Sequence, residues 1–479
     1  MTCFHCRVRV KNITLPRFRQ LYLGASTNGQ LALVSRLPKI PTLDSSASSG
    51  DNSTSVSKVL VTALPEELLV KIFNLTNRCD YCGSDHYVVL LKVCKAFYRI
   101  VQPLLYKNID IIQPTGLVPT GTRARLLHRT VKEKPALGTF CKDLQVYINS
   151  LQDVRDGDYV SAAELLQSFP CTTNFSVHGG FGHPPTWPLL KRAFQNMSFI
   201  KHLTLSRELW DLHMAPVCDV IQDMHLESLH LHGISARKDG IIWAAQNTDV
   251  KRTNTMTKLD ISDFGETPKA LRNLLELPKS LQHFRFGKVH HNPVFWELRS
   301  FQELLCSHRD SLVTVEIGAV GRRGGKGISF LKFPKLETLN ISHWNFDFSP
   351  DIAAATLLAP NLHTFIWDFT IEDQHSESSS DFGEEQKLWV SRFAELAAAH
   401  KSALRKIVII FNPDIYLESP IEEELDEIIQ PWNLMAEARE VMKSTGIELS
   451  YDNKSAMQLY QQYREQQERE AIDDVAGSG

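Results

Sequence analysis

The sequence predicts a mixed α/β chain, in which a small module of three short helices precedes an irregular solenoid of about ten strand–helix units. Three observations lead to this fold class. The composition changes abruptly near residue 58, where a short helix-forming stretch begins. A six-residue apolar pattern returns repeatedly from about residue 140 onward. Helix-forming segments separate the copies of that pattern, as expected where each unit stacks on the next.

The composition limits the class of protein. The 479 residues are 43% hydrophobic and 22% charged, which is typical of folded soluble domains, and they are too many for one compact core. The net charge of −3 indicates neither a nucleic acid nor an anionic membrane as partner. No apolar run approaches the ~20 residues of a membrane-spanning helix. The N-terminus lacks the apolar core of a signal peptide.

Cysteine usage favours a reducing compartment, the cytosol or the nucleus, because the nine cysteines show no dense pattern typical of a disulfide framework. Two pairs, Cys3-x-x-Cys6 and Cys79-x-x-Cys82, have the local spacing of zinc ligands. A zinc ribbon separates such pairs by about 15–20 residues, whereas 72 residues intervene here. We therefore interpret them as free thiols, with a joint zinc site as the alternative, and expect neither a metal nor another cofactor.

Composition also indicates the limits of the domains. Residues 1–57 are expected to be disordered or weakly structured, because their last part is mostly Ser, Thr, Asn, Asp and Gly. Such a stretch offers too little apolar surface to offset the entropy of ordering. A helical module is predicted over 58–110 and the repeats over 111–452. Within the repeats, an acidic surface insertion is predicted at 371–387, and a charged tail follows at 453–479.

The helical module begins with a predicted helix at residues 64–73. Pro65 suits its first turn, and the two glutamates that follow complement the helix dipole there. Apolar residues recur at helical spacing and form one face, composed of Leu68, Leu69, Ile72 and Phe73. Two further apolar stretches follow at 87–94 and 97–105. Three short helices form only a marginal core, so we expect a partner or a neighbouring domain to complete the stability of this module.

The repeated pattern is apolar-x-x-apolar-x-apolar, whose last two apolar residues lie on one face of a strand. The clear copies begin at Leu226, Met256, Leu281, Leu312, Leu336, Leu362 and Leu404. Weaker copies contain Leu144, Phe175 and Leu203, and Ile447-Glu-Leu449 is a candidate for one more strand. The middle apolar residues lie 24 to 31 residues apart, except for one interval of 42 that contains the acidic insertion.

Most of these intervals lie at or just above the roughly 20–29 residues of leucine-rich repeats. Helix-like segments fall between the copies, for example at 268–275 and 296–305. Strand then helix, repeated at this period, predicts a leucine-rich-repeat-like horseshoe with the strands on its concave face.

Residues 64–106 resemble the F-box. The resemblance is carried in its first half by Leu64, Pro65, Glu67, Leu68, Ile72 and Phe73, and in its second half by Leu90, Val93, Cys94, Lys95 and Phe97. Residues 101–106 are similar to the segment that follows the box in many fungal F-box proteins. The interval between the halves, 78–85, is several residues longer than is usual in the family.

The resemblance implies docking to the small adaptor of a Skp–cullin–F-box ubiquitin ligase and, through it, to a cullin. The positions that match the family pattern imply the adaptor-binding residues Leu64, Pro65, Leu68, Ile72, Leu90, Val93 and Cys94. The alternative is that they form only an internal three-helix core. Because leucine-rich repeats commonly follow an F-box, the resemblance implies a substrate-recognition subunit whose repeats bind a target protein. The competing function is a leucine-rich-repeat scaffold that binds a partner outside a ligase.

Strand alternation predicts which residues face a target, because the residue between two inward apolar residues points outward. These candidate target-binding positions are Thr204, His230, Asp260, Arg285, Glu316, Asn340 and Ile366. Their signs and sizes are mixed, so they indicate no single electrostatic class of target.

No catalytic residue is predicted. The eighteen histidines form no His-Glu-x-x-His pattern, and there is no Gly-x-Ser-x-Gly elbow. Residues 318–327 follow a predicted strand but lack the spacing of a phosphate loop, since Val320 and Gly327 stand where Gly and Ser or Thr are required. We interpret this segment as a flexible basic loop. The resemblance implies a non-catalytic receptor, because other subunits transfer ubiquitin in that family.

Overall fold

The structure is a computed structural model that describes residues 22–25, 31–34, 64–76, 85–112, 121–148, 164–181, 186–207, 212–235, 255–287, 296–320, 328–345, 349–370, 379–413 and 422–452. The chain divides into two compact units, Met1–Ile109 with Lys134–Lys142, and Asp110–Glu133 with Asp143–Gly479. The limits expected from the sequence for independent domains, 58–110 and 111–452, stay predictions.

Three helices occupy the predicted module: α1 (Glu66–Thr76), α2 (Asp85–Leu90) and α3 (Lys95–Leu105). The carbonyl of Pro65 accepts the first backbone hydrogen bonds of α1, from the N–H groups of Leu68 and Leu69. The helices enclose a small core of Leu69, Phe73, Tyr87, Phe97, Ile100 and Val101. Phe73 and Phe97 meet edge to face at its centre, with ring centroids 5.0 Å apart.

Within residues 1–57, which were expected to be disordered or weakly structured, the structure describes one antiparallel pair, β1 (Tyr22–Ala25) and β2 (Leu31–Val34). This pair is an addition to the sequence prediction. Each strand is a short apolar run, which an argument from the composition of the whole segment overlooks. The other residues of this segment lie outside the described part of the chain, as do both Cys-x-x-Cys pairs.

A twelve-stranded sheet dominates the rest of the chain, and its strands lie side by side in chain order. They are β3 (Asn108–Ile112), β4 (Asp143–Tyr147), β5 (Asn174–His178), β6 (His202–Ser206), β7 (Ser228–Ile234), β8 (Lys258–Phe264), β9 (His283–Phe286), β10 (Thr314–Ile317), β11 (Thr338–Ser342), β12 (Thr364–Asp368), β13 (Lys406–Ile410) and β14 (Glu448–Tyr451). Neighbours from β4 to β14 pair in parallel. Parallel strands in chain order are the arrangement of a repeat solenoid.

The apolar pattern of the sequence sets the register of this sheet. Leu229 pairs with Leu259, and Leu231 with Ile261, so equivalent residues of successive repeats stand beside one another. These side chains are fully buried. A slip by one residue would turn the apolar row outward, which is why the register is kept across all the repeats.

Helices alternate with the strands and cover the buried face of the sheet. They are α4 (Gly121–Glu133), α5 (Thr186–Asn196), α6 (Met214–Ile221), α7 (Pro268–Leu275), α8 (Leu298–Leu305), α9 (Pro350–Leu357), α10 (Glu384–Ala399) and α11 (Glu422–Met442). Aromatic rings join the two layers: Phe301 of α8 lies 5.0 Å from Phe286, and Phe393 of α10 lies 5.2 Å from Phe365, between ring centroids. The other sheet face is half-exposed, as the alternating burial of its strands shows.

The structure confirms the predicted mixed α/β class and the predicted strands. All ten pattern copies form strands, and Ile447-Glu-Leu449 contributes to an eleventh, β14. The twelfth, β3, was not predicted. Of the expected acidic insertion, residues 371–378 lie outside the described part, while 379–381 form a 3-10 turn and α10 begins at Glu384. The expected tail, 453–479, also lies outside the described residues.

Buried polar side chains tie neighbouring repeats together. The amide of Asn345, which has no exposed surface, donates to the Gly318 carbonyl at 2.7 Å and accepts from the Val320 N–H at 2.9 Å. His308, which is also buried, bonds the Leu275 carbonyl through Nε2 at 2.7 Å and accepts the Leu281 N–H. Each side chain satisfies backbone groups where the chain turns between elements.

We expect Asn345→Ala to destabilise the fold by about 1–3 kcal/mol, because the buried Val320 N–H and the Gly318 carbonyl would both lose a hydrogen bond to the Asn345 side chain. Urea unfolding monitored by circular dichroism measures this change. The matched control is Asn361→Ala, since Asn361 is exposed and makes one hydrogen bond, to the Pro334 carbonyl at 2.6 Å. Equal unfolding midpoints for the two variants would contradict the expectation.

Candidate functional site

The first candidate surface is the docking surface of the helical module, defined by the seven predicted adaptor-binding residues. Pro65, Leu68 and Val93 are exposed. The half-buried members are Leu64, Ile72, Leu90 and Cys94. Not one of the seven is fully buried, so the helical core leaves this surface accessible to another molecule. That they contact an adaptor stays a prediction.

The apolar face of α1 divides into two parts. Leu69 and Phe73 are buried in the core, whereas Leu68 is 45% exposed and Ile72 is half-buried beside the core. The sequence placed all four residues on one face. The division arises because a helix this short contacts its neighbours through a stripe narrower than its whole apolar face.

Cys94 has a structural role in addition to its predicted one. It is the N-cap of α3, and its Sγ accepts a hydrogen bond from the Phe97 N–H at 3.5 Å. The sulfur therefore satisfies one of the N–H groups that a helix leaves unpaired at its start. Some of the residues shared with the F-box pattern thus serve the fold itself.

Three further apolar residues of the same module, Val88, Val89 and Tyr98, are exposed but were not predicted as contact residues. Val89 is 65% exposed. The family pattern does not include these positions, which is why they were overlooked. A physical signal was present, however, since α2 is a short helix within a continuous apolar run and cannot bury every side chain of that run.

The second candidate surface is the open sheet face, defined by the outward residues of β4 to β14. Its central row contains all the predicted target-binding positions, because parallel pairing places each beside the next. In strand order the row is Gln145, Ser176, Thr204, His230, Asp260, Arg285, Glu316, Asn340, Ile366, Val408 and Ser450. Target binding by these residues stays a prediction.

One member of this row lies differently from the expectation. Asn340 lies in the outward row between Glu316 and Ile366, but it is only 6% exposed and offers little surface to a target. Ser342, two residues further along β11, is buried as well. Strand alternation alone does not reveal that this part of the face is covered.

Charged residues at the centre of the row form a connected chain. His230 Nδ1 lies 3.1 Å from Asp260, and Arg285 lies 3.3 Å from Asp260 and 2.6 Å from Glu316. Burial by itself raises the pKa of Asp260, but hydrogen bonds and charge from His230 and Arg285 outweigh that effect and lower it. The carboxylate of Asp260 is thus favoured in its ionised form and is held by the His230 imidazole and the Arg285 guanidinium.

Two further rows of outward residues flank the central one, and they bring together histidines that are distant in the sequence. His202 and His283 belong to one flanking row, and His178 and His232 belong to the other. Hydroxyl groups orient two of these rings: His202 Nδ1 lies 2.7 Å from Ser228 Oγ, and His232 Nδ1 lies 2.8 Å from Ser262 Oγ.

His178 lies at one edge of this group. Its ring stacks on Tyr147, with centroids 4.5 Å apart. Burial lowers the pKa of His178 from the ordinary value of 6.5, and the positive potential of His230 and His232 lowers it further. A positive charge on either neighbouring ring would thus make protonation of His178 less favourable.

Other kinds of site find little support in the described residues. Among them, no three His, Cys, Asp or Glu side chains are placed to hold a metal ion. No helix in the described ranges is long and apolar enough to cross a bilayer. A cleft of about 340 Å³ beside α7 and α8 contains Arg272 and Glu303, which pair with each other at 3.3 Å. Most of the glycine-rich segment lies in 321–327, outside the described residues.

Comparison with known proteins agrees with the helical module. Residues 62–107 match the family model of the F-box domain. The chain thus contains an F-box domain, followed by a solenoid of leucine-rich-repeat type. F-box domains bind Skp-type adaptors, which link them to a cullin, so adaptor binding is the role that this domain implies. No curated protein sequence matches the chain.

Among solved structures, the chain is similar to the leucine-rich repeat-containing protein LegL7 from Legionella pneumophila. The two share 14% sequence identity with a TM-score of 0.36, and the match covers 67% of this chain and 97% of that one.

We expect His178 to titrate below pH 6.5 and its pKa to rise in the double variant H230Q/H232Q, where two sources of positive potential are removed. NMR titration of ¹³C-labelled histidines measures this pKa. Because the folded chain binds this proton less readily than the unfolded one, His178 makes folding less favourable as the pH falls through 6.5.

The control is H225Q, which removes an exposed histidine away from the sheet face and should leave the His178 titration unchanged. A His178 signal that titrates at or above 6.5 in the wild-type chain would contradict the expectation.

Proposed function

We propose that this chain is the substrate-recognition subunit of a Skp–cullin–F-box ubiquitin ligase. Its F-box domain binds the adaptor, and its repeat domain binds a target protein. The observation that carries the proposal is the coincidence of the F-box match at 62–107 with an accessible apolar surface in the same module. The open sheet face supports the second half, since its centre presents partly exposed polar side chains, among them His230, Asp260, Arg285 and Glu316.

The energetic argument concerns the exposed apolar residues of the module. Leu68 is 45% exposed and Val93 is 40% exposed, and the neighbouring Val88, Val89 and Tyr98 are exposed as well. Complete burial of one such side chain contributes about 1.5–3 kcal/mol, so covering the remaining exposed part contributes roughly 1 kcal/mol for each. Several residues together supply enough for a stable contact with a second subunit, and they suit an apolar partner surface.

The mechanism needs no bond chemistry from this chain. A receptor that holds a target beside a charged conjugating enzyme turns a bimolecular encounter into a nearly intramolecular one. The effective concentration of target lysines then rises without any new contact at the reacting atoms. In this proposal the groups that transfer ubiquitin belong to other subunits, and the repeat domain determines which protein is modified.

The cysteines support a location in the cytosol or the nucleus. The five cysteines in the described part of the chain form no disulfide with one another: Cys94, Cys141, Cys171, Cys218 and Cys306. Cysteines without disulfides are typical of reducing compartments.

We expect the double variant L68D/V93D to lose the adaptor, with affinity reduced by more than about tenfold, because two carboxylates would be buried against an apolar partner. The assay is co-purification with a Skp-type adaptor, followed by a dissociation constant from biolayer interferometry. Leu68 and Val93 are preferable to Ile72, which packs beside the core and whose replacement risks unfolding.

The matched control is L331D, since Leu331 is 48% exposed and lies within the repeats. It should retain the adaptor at wild-type affinity. A wild-type chain that never binds the adaptor, or a double variant that binds as the wild type does, would favour the alternative, a repeat scaffold outside a ligase.

A further inference from the structure

The open sheet face carries a group of five histidines, His178, His202, His230, His232 and His283, which we name the imidazole patch. Its members lie on β5, β6, β7 and β9, and strand pairing places them in three adjacent rows. Four inter-strand spacings of about 4.8 Å separate β5 from β9, so the patch extends for roughly 19 Å, the length of about six extended residues.

Other titratable side chains face the patch from its own and neighbouring strands. They are Asp143, Tyr147, Lys258, Asp260, Arg285 and Glu316. Asp260 is held between His230 and Arg285, and the same Arg285 holds Glu316. The acidic groups nearest the centre of the patch are therefore already engaged.

Charges beside the strand ends are paired in the same way. Lys201 pairs with Glu227 at 2.6 Å, and Arg207 pairs with Asp263. Lys258, in contrast, takes part in no ion pair within the described ranges. The cationic groups available to a ligand thus include Lys258 and the exposed histidines of the flanking row, His202 and His283.

The remaining half of the open sheet face has a different character. The outward residues of β10 to β14 include the acidic residues Glu316, Asp368 and Glu448. Among the outward positions of these strands in the described sheet, Lys406 is the one cation. Apolar outward residues also lie there: Ile366, Val408 and Ile410. The central row by itself contains side chains of both charges. When all three rows are considered, most of the cationic groups lie on β5–β9, and most of the acidic and apolar groups lie on the other half of the face. An acidic ligand is therefore directed to β5–β9.

We propose that the imidazole patch captures an acidic segment of a target protein, and that capture strengthens as the histidines become protonated. The proposal rests on the proposed function in one respect, since it takes the captured protein to be the target of the ligase. Protonated imidazoles crowded on one face repel each other, and a bound anion relieves that repulsion. Charge-assisted hydrogen bonds from imidazolium N–H groups to carboxylate or phosphate oxygens supply the contact.

Preorganisation favours this role over that of a merely solvated surface. Ser228 and Ser262 orient the rings of His202 and His232, and Asp260 orients that of His230. Side chains already held on a sheet lose little rotamer freedom when a ligand binds.

The test uses the full chain, with and without a Skp-type adaptor, and three fluorescein-labelled peptides. Their central six residues are Glu, Gln or alternating phosphoserine and Gly, so that carboxylate, neutral and phosphate groups are compared. Fluorescence anisotropy gives the dissociation constants near pH 6.0 and near pH 7.5. We expect the Glu peptide to bind about tenfold more tightly near pH 6.0, since imidazoles gain charge in this interval while glutamate stays ionised.

The patch variant is H230Q/H232Q, and its matched control is H225Q/H400Q, which removes two exposed histidines outside the patch. The patch variant should lose the pH-dependent gain, and the control should keep it. Tighter binding by the phosphoserine peptide than by the Glu peptide, with the Glu peptide still preferred to the Gln peptide, would support the proposal and identify phosphate as the preferred anion. Equal binding of the Glu and Gln peptides, equal affinity at both pH values, or an unaffected patch variant would overturn the proposal.

Comparison of the three peptides on the wild-type chain does not depend on the folding of any variant. Adaptor retention, measured on the same samples, separates the two proposals. A chain that binds the acidic peptide but no adaptor would contradict the proposed function alone. A chain that binds the adaptor but does not distinguish the peptides would contradict only the proposal that the imidazole patch captures an acidic segment.

Discussion

The parallel register of the sheet is the constraint on which the repeat domain depends. Each strand pairs with the next at the same offset, so apolar residues such as Leu229 and Leu259 stand side by side in the core. The same register necessarily aligns the residues between them on the open face. One packing requirement, that the apolar row stay buried, therefore orders a second surface that contributes little to the core.

This second surface is unusual for a parallel sheet, since parallel sheets are commonly covered on both faces. Here helices cover one face, as the contacts of Phe301 and Phe393 show, and the other face presents His, Lys, Asp, Glu and Arg side chains. The helical module has the opposite character, since its accessible surface is apolar around Leu68 and Val93. An apolar surface suits a permanent subunit contact, whereas a polar and titratable one suits a ligand that binds and leaves.

Several residues serve the fold and a surface at once. Cys94 caps α3 and is also a predicted adaptor contact. Asp260 and Arg285 connect three strands and also fix the charge of the open face. Such double use explains why the family pattern alone does not separate structural residues from contact residues. Val88 and Val89, which the pattern omits, are about as exposed as Leu68 and Val93, which it includes, or more so.

The sequence by itself determined the helical module and its order before the repeats, the positions of strands β4 to β14, and the row of residues that alternate outward from the apolar ones. These features follow from spacings of two to four residues and from a period that recurs along the chain, which are local signals. Only the tertiary structure decided that Leu69 is buried while Leu68 is exposed, that Asn340 is covered, and that five histidines share one patch. The physical reason is that these outcomes depend on contacts between elements, such as the bond from Asn345 to Gly318, whose partners lie 27 residues apart.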